Sequence, residues 1–409
     1  MIRITSLFTN RSLALIYLVV MCTQILIIEG FGVSPLKVFL MGLSPLVLLI
    51  KVPYLSKALF VVLCYMFVVF VCATMQLYVR FSTIGYLFMF LMTFVMYYNL
   101  VYGGVFSFDE YRNLLRNFIL VFFYCALLQQ VFSTVGLRYI PFLNMVGQSY
   151  LSPTHFNTLT FEPSSSARIL AFLFLGFLRM EERFLGYKPD LRYLWNNQRT
   201  VLLAFLYVMV FMGSGTAMIA LVILSFYFVQ KKYLVTTALL IMVGYMVIVN
   251  VDYLPVKRMV NTINAAMTLD VDEMTTTDNS AAVRINPLIN TLTKTDLTSS
   301  ETWFGKGTVS TEKQKKWYST IKTAKMGNID QYGLLSFLIG LALIYICCIP
   351  RLFSVETILT FLLIGMTINN FSYIWGCYYI LATTKSVSYT HLRAHETTLH
   401  LVCRLLLEK

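Results

Sequence analysis

The sequence predicts an all-α protein, a polytopic transmembrane helical bundle of about eleven spans with one large extracytoplasmic loop. Three observations carry this. The 409 residues are 58% hydrophobic but only 12% charged, against about a quarter charged in an ordinary soluble domain, so a soluble surface could not be built from them. The apolar residues fall in blocks close to the ~20 residues of a bilayer crossing. The short connections between blocks alternate between basic and non-basic, the pattern of a chain that crosses repeatedly.

The segment Met1–Arg11 leads into an apolar run with no A-x-A-like cleavage site, which predicts an uncleaved first span rather than a signal peptide. Spans are expected near Leu13–Ile28, Leu36–Ile50, Ala58–Tyr78, Thr83–Tyr102 and Leu114–Gly136. After a polar segment come Ala167–Phe177, Val201–Met212, Thr216–Val229 and Leu234–Asn250. A long loop follows, then Tyr332–Ile349, Val355–Ile368 and a weaker stretch at Phe371–Leu381. Several runs are shorter than a full crossing, and flanking Tyr, Arg and Lys extend them by snorkelling. Gly213-Ser214-Gly215 reads as a tight hairpin between two spans.

Orientation follows from the basic residues of the connections. Fourteen lie on one side: Arg3, Arg11, Lys51, Lys57, Arg112, Arg116, Arg179, Arg183, Lys188, Arg192, Arg199, Lys231, Lys232 and Arg351. Outside the long loop, the other side has only Lys37, Arg80, Arg138 and Arg168. This asymmetry predicts a cytoplasmic N-terminus, with the segments 137–166 and 251–331 facing outward. The positive charge is therefore read as membrane topology and not as a nucleic-acid surface. Of the eight cysteines, Cys22, Cys64, Cys72, Cys125, Cys347, Cys348 and Cys377 lie in apolar runs and none lies in the long loop, so they are expected to pack rather than to pair.

Chemistry is expected in the two outward segments. The first contains His155 and then Phe161-Glu162-Pro163-Ser164-Ser165-Ser166-Ala167-Arg168. Ser164–Ser166 are expected to cap the helix that follows, with Arg168 in its first turn, making an anion site beside the Glu162 carboxylate. An ordinary capped helix start with a snorkelling arginine explains the same residues about equally well.

The long loop, Val251 to Gln331, carries ten basic and nine acidic residues and is close to neutral. Within it, Ser280-Ala281-Ala282-Val283-Arg284 reads as the start of a helix and Trp303-Phe304-Gly305-Lys306-Gly307 as a turn with an aromatic anchor. Arg284 is expected to lean over the membrane mouth and hold a phosphate, against the plainer reading of a surface helix. Asp270-Val271-Asp272 is read as a solvated turn. No HExxH, phosphate-binding loop, CxxC pair or nucleophile elbow is present, and no metal site is expected.

Two resemblances add to this. Residues 386–409, from Ser386 onward, closely resemble a translated sequencing-adapter tail; they are set aside from fold and function, and the native C-terminus is expected to be missing. Most of residues 1–385 resembles the bacterial O-antigen and capsular polysaccharide polymerases, which share a superfamily with the O-antigen ligases. The echoes are FEPSSSAR at Phe161–Arg168, GSGTAMIALVIL at Gly213–Leu224, SAAVR at Ser280–Arg284 followed by WFGKG at Trp303–Gly307, and YGLLSFLIGLAL at Tyr332–Leu343. The order of these motifs is what persuades. Gly215 departs from the pattern, since family members often carry arginine after the hairpin serine.

The resemblance implies a multi-pass protein of the bacterial inner membrane that joins oligosaccharide units carried on polyprenyl diphosphate at the outer leaflet. It implies Arg284 and Arg168 as the cations that meet the departing diphosphate, Arg258 and Lys306 behind them in substrate binding, and Glu162 or His155 as the base. Neither a metal nor a soluble cofactor is expected. The implied partners are the lipid-linked oligosaccharide, the bilayer, a chain-length regulator and a flippase. A ligase that moves finished polymer onto a lipid A core would use the same donor. A lipid-linked oligosaccharide flippase is the alternative from another class, and the nearly uncharged spans and long loop argue against it.

Overall fold

A computed structural model describes residues 9–24, 34–51, 56–76, 79–137, 140, 152–229, 260, 264, 271–272, 279–307 and 324–407. Among them every extended regular element is helical. In chain order these are α1 (Asn10–Cys22), α2 (Pro35–Lys51), α3 (Lys57–Thr74), α4 (Phe81–Tyr102), α5 (Phe108–Thr134), α6 (Pro163–Leu185), α7 (Leu191–Asn197), α8 (Arg199–Phe211) and α9 (Gly215–Phe228). Then follow α10 (Asn279–Thr293), α11 (Ser300–Phe304), a 3-10 turn (Met326–Asn328), α12 (Ile329–Cys347), α13 (Val355–Ile364) and α14 (Ser372–Leu407). The expected span Leu234–Asn250, Arg258 and Asp270 lie outside the described residues.

Four of the described helices, α3, α4, α5 and α12, are long and apolar enough to cross a membrane. At 1.5 Å rise per residue the 13-residue α1 reaches only about 20 Å, short of the ~30 Å hydrocarbon layer. The 23-residue α6 is long enough but carries Arg168, Arg179, Glu181, Glu182 and Arg183. Neighbours enclose its first part, where every side chain from Ser165 to Leu178 is buried, and Arg179, Glu181 and Glu182 beyond it are paired. Helices α5, α8, α9, α13 and α14 pack around it, so it is enclosed up to its last turn, where Arg183 and Phe184 are exposed.

Contacts between helix ends fix a common polarity. At one end Gln24, just after α1, receives the amide of Phe161, just before α6 (2.7 Å). Gln76, after α3, donates to the Gln331 carbonyl at the start of α12 (2.7 Å), and Asn370, before α14, donates to the Thr83 carbonyl at the start of α4 (3.2 Å). At the opposite end Arg11 pairs with Glu110 (2.9 Å) and the Ser56 amide donates to Asn99 Oδ1 (2.7 Å). Successive long helices therefore run antiparallel, as the alternating connections predict.

Local chemistry explains where the helices start and stop. Helix α5 begins six residues before the expected span because Ser107 and Glu110 form a reciprocal capping box. Helix α6 runs to Leu185, well past Phe177, because its charged second half is neutralised in place. Arg179 makes a two-point contact with Glu356 of α13 (2.5 and 2.9 Å) and a third with Glu182 (2.6 Å). Arg112 of α5 does the same with the fully buried Glu181 (2.7 and 3.1 Å), which also accepts from Tyr193 (3.0 Å). The small helix α7, which has no apolar run to announce it, is held by that bond. Helix α14 is one continuous helix from Ser372 to Leu407, where a stretch ending at Leu381 is expected.

Aromatic stacking concentrates between α4 and α14. Trp375 stacks parallel on Phe90 (5.8 Å between centroids, 5° between planes) and Tyr379 on Tyr97 (4.0 Å, 13°). Tyr97 also shares a hydrogen bond with Thr383 (2.6 Å). This column holds the N-terminus of α14 against the mouth of the bundle, where the candidate site lies.

Candidate functional site

The segment before α6 is folded into the bundle instead of lying over it. Phe156, Asn157, Thr158 and Thr160 are buried, which obliges their polar groups to find partners. Gln129 of α5 supplies three: its side-chain oxygen accepts the Thr158 amide (2.8 Å), and its nitrogen donates to the Thr158 carbonyl (3.1 Å) and Asn157 Oδ1 (3.0 Å). These bonds hold Thr158 at a left-handed φ of +51°. Ser166 closes the loop from the helix side through Thr158 Oγ1 (2.7 Å), Thr160 Oγ1 (2.8 Å) and the Asn157 carbonyl.

The serine run therefore does not cap α6. Glu162 is the N-cap residue, without a side-chain cap, and Pro163 takes the first helical position. Ser164 donates to the Glu162 carboxylate (3.2 Å) and Ser166 ties down the loop. Pro163, which lacks an N–H, replaces the need for a serine cap. Arg168 consequently falls in the second turn rather than the first.

There Arg168 is only 7% exposed. Its guanidinium lies 4.9 Å over the ring of Tyr373, and its Nε has no hydrogen-bond partner among the described residues. Beside Tyr373, the hydroxyl of Ser372 accepts from Lys37 Nζ (2.9 Å) and from Gln24 Nε2 (3.4 Å). Lys37, in the first turn of α2, is 4% exposed. Gln24 links the group to the sequence motif, because its side chain accepts the Phe161 amide and its own amide donates to the Leu159 carbonyl (2.8 Å).

The pair Ser372–Tyr373 is thus a hub on which two buried cations converge, one from α2 and one from α6. The N-termini of α2, α6 and α14 all open here, and each adds partial positive charge. No carboxylate is paired with Arg168 or Lys37 among the described residues. Such an arrangement is suited to a multiply charged anion.

The remaining expected site residues are placed as follows. His155, partly buried, exchanges backbone hydrogen bonds with Ser152 (2.9 and 3.0 Å) and packs on the α8–α9 hairpin. Gly213 has φ +69° there, and a Cβ on it would come within 2.6 Å of His155 Nδ1. The loop that precedes FEPSSSAR therefore meets the GSG motif. Arg284 is on α10, a helix that starts at Asn279 as expected; its side chain lies outside the described part of the chain.

Lys306 sits apart from Arg168 and Lys37, in an exposed pair with Glu301 (3.0 Å). It lines a cavity of about 220 Å³ with Lys294, Asp296, Lys325 and Asp330. The hydroxyl and amide of Thr298 hold the Asp296 carboxyl below the usual carboxylate range. Its turn is nevertheless anchored to the bundle. The Lys306 amide donates to the Asp330 carbonyl (2.7 Å), and Gln76 bridges the Phe304 and Gln331 carbonyls (2.8 and 2.7 Å). Gly333, at φ +83°, lies so close to the Trp303 carbonyl that a side chain there would clash with backbone.

The sequence singled out Arg168 and Glu162 but missed Lys37, Gln24, Ser372 and Tyr373. The available signal was the charge asymmetry: outside the long loop, Lys37 and Arg168 are two of only four cations that the sequence assigns to their side. No family model, no curated protein sequence and no solved structure matches the chain.

Proposed function

We propose that the chain is a membrane glycosyltransferase of the polysaccharide-polymerase kind, joining oligosaccharide units carried on polyprenyl diphosphate. The observation that supports this most is the buried Arg168 guanidinium, held on Tyr373 without a carboxylate among the described residues, at the meeting of three helix N-termini. The chain crosses the bacterial inner membrane about eleven times in this reading, its N-terminus in the cytoplasm and its long loop outside. The basic end, with Arg11, Arg112, Arg179 and Arg351, faces inward, and the Arg168 end opens at the outer leaflet.

In the reaction, a hydroxyl oxygen at the non-reducing end of one unit attacks the anomeric carbon of a second chain. A glycosidic bond forms, the bond from that carbon to the diphosphate oxygen breaks, and lipid diphosphate leaves. The hydroxyl proton passes to the Glu162 carboxylate or to His155. Arg168 and, from the long loop, Arg284 meet the negative charge that develops on the diphosphate; Arg258 and Lys306 bind the glycan further out. A chain-length regulator and a flippase are the expected partners.

The test is complementation of cells lacking the gene, read as the length ladder of surface polysaccharide on a gel. Wild type restores the ladder. Arg168→Gln and Arg284→Ala, each confirmed to be inserted and folded, are expected to leave single units. Full-length polymer with both variants would overturn the reading. A ladder of undiminished length in cells without the gene, failing only to reach the lipid A core, would assign the ligase reaction instead.

A further inference from the structure

We infer that Lys37, with Ser372 as its anchor, is the second anion-holding arm of this site, so that the site takes both phosphates of a diphosphate ester at once. The inference rests on the proposed reading of Arg168, but its evidence is separate. An ammonium group carries three N–H donors. Among the described residues Lys37 uses one of them, on Ser372 Oγ at 2.9 Å, and it is 4% exposed. A lysine that merely belonged to a membrane boundary would extend its head to water. Here the head turns inward to α14, onto the residue next to the ring that carries Arg168.

Burying one cation is costly, and burying two at adjacent residues of one helix start is more so unless an anion joins them. Arg168 provides a planar fork and Lys37 a point charge, which suits two neighbouring phosphates better than a single one. Gln24 sets the spacing. It bonds Ser372 on one side and the Phe161 amide on the other (3.4 and 2.7 Å), so the Lys37 arm and the Glu162 loop are positioned by the same side chain.

The experiment measures binding of undecaprenyl diphosphate, undecaprenyl monophosphate and inorganic diphosphate to the purified full chain in detergent. Wild type is expected to prefer the lipid diphosphate to the lipid monophosphate. Lys37→Gln should weaken diphosphate binding about ten- to a hundredfold, the range for one charge-assisted contact, and change monophosphate binding little. Lys37→Arg should restore the preference, and Ser372→Ala, which keeps the lysine, should reduce it. Competition by inorganic diphosphate at similar concentrations would mean that the headgroup alone is recognised.

A diphosphate preference unchanged in Lys37→Gln overturns the Lys37 assignment while leaving Arg168 in place. Absence of binding by wild type overturns the underlying reading itself. Should Lys37→Gln fail to fold, the Lys37→Arg and Ser372→Ala pair decides: an unaltered preference in Ser372→Ala would count against the arm.

Discussion

The guanidinium of Arg168 lies 4.9 Å above the ring of Tyr373, buried and without a carboxylate among the described residues. The ring stabilises the cation, and the guanidinium Nε is left without a hydrogen-bond partner among the described residues. Removing that cation with Arg168→Gln is expected to lower polymer formation about 10²- to 10³-fold, the usual effect of losing one donor to a developing anion. Arg168→Lys should recover only part of this, since a lysine neither forks nor stacks. Tyr373→Ala keeps the charge and should cost less, about 0.5–2 kcal/mol. Initial rates of polymer synthesis in membranes containing equal amounts of each variant check the order.

The loop that carries Glu162 should depend on Gln129 and Ser166. Gln129 holds the Thr158 amide and carbonyl and Ser166 the Thr158 hydroxyl, buried groups with no other partner among the described residues. Gln129→Ala and Ser166→Ala are expected to destabilise the protein by about 1–3 kcal/mol each, and because both hold the same loop their effects should not add. Thermal melts of the two single variants and the double variant in detergent read this directly. Additive losses would show that the two residues act independently.

The contact of the Trp303 turn with the start of α12 predicts a sharp contrast between glycines. Gly333→Ala forces a side chain into the Trp303 carbonyl at φ +83° and is expected to abolish the folded protein. Gly42→Ala, in mid-helix with open space around it, should be neutral or stabilising by up to about 1 kcal/mol. Yields of monodisperse protein on size-exclusion chromatography distinguish them.

The ion pair of Arg179 with Glu356 joins α6 to α13 where the site is not. Glu356→Gln removes the charge from the buried partner and leaves the half-buried Arg179 guanidinium paired only with Glu182, which should cost about 1–3 kcal/mol. The double variant Arg179→Met, Glu356→Leu should recover most of that loss, because it removes both charges. Thermal melts measure both, and surface polysaccharide made by the double variant should keep its length.

Much of the helix pattern was legible in the sequence because apolar runs report lipid exposure and packing together. It failed where tertiary partners decide. The second half of α6 reads as a polar connection until Glu181 and Arg179 are seen against Arg112 and Glu356. The capping box at Ser107 and Glu110 is visible locally and explains the early start of α5. Ser372 and Tyr373 lay in the weakest of the expected spans, and nothing local marks them; their role arises only when α14 meets α2 and α6. Arg168 and Glu162 could be found because a charge beside a proline and a serine run interrupts an otherwise apolar stretch. Lys37 has no motif, and only its being on the sparsely charged side set it apart.

The most direct test is reconstitution. Lipid-linked oligosaccharide isolated from cells lacking the gene is incubated with the purified chain in nanodiscs, and product length and free lipid diphosphate are measured together. The account predicts a ladder of joined units with one lipid diphosphate released per bond formed, and neither product with Arg168→Gln. A ladder of unchanged yield from Arg168→Gln, or no lengthening by wild type under conditions where it binds the substrate, would contradict it.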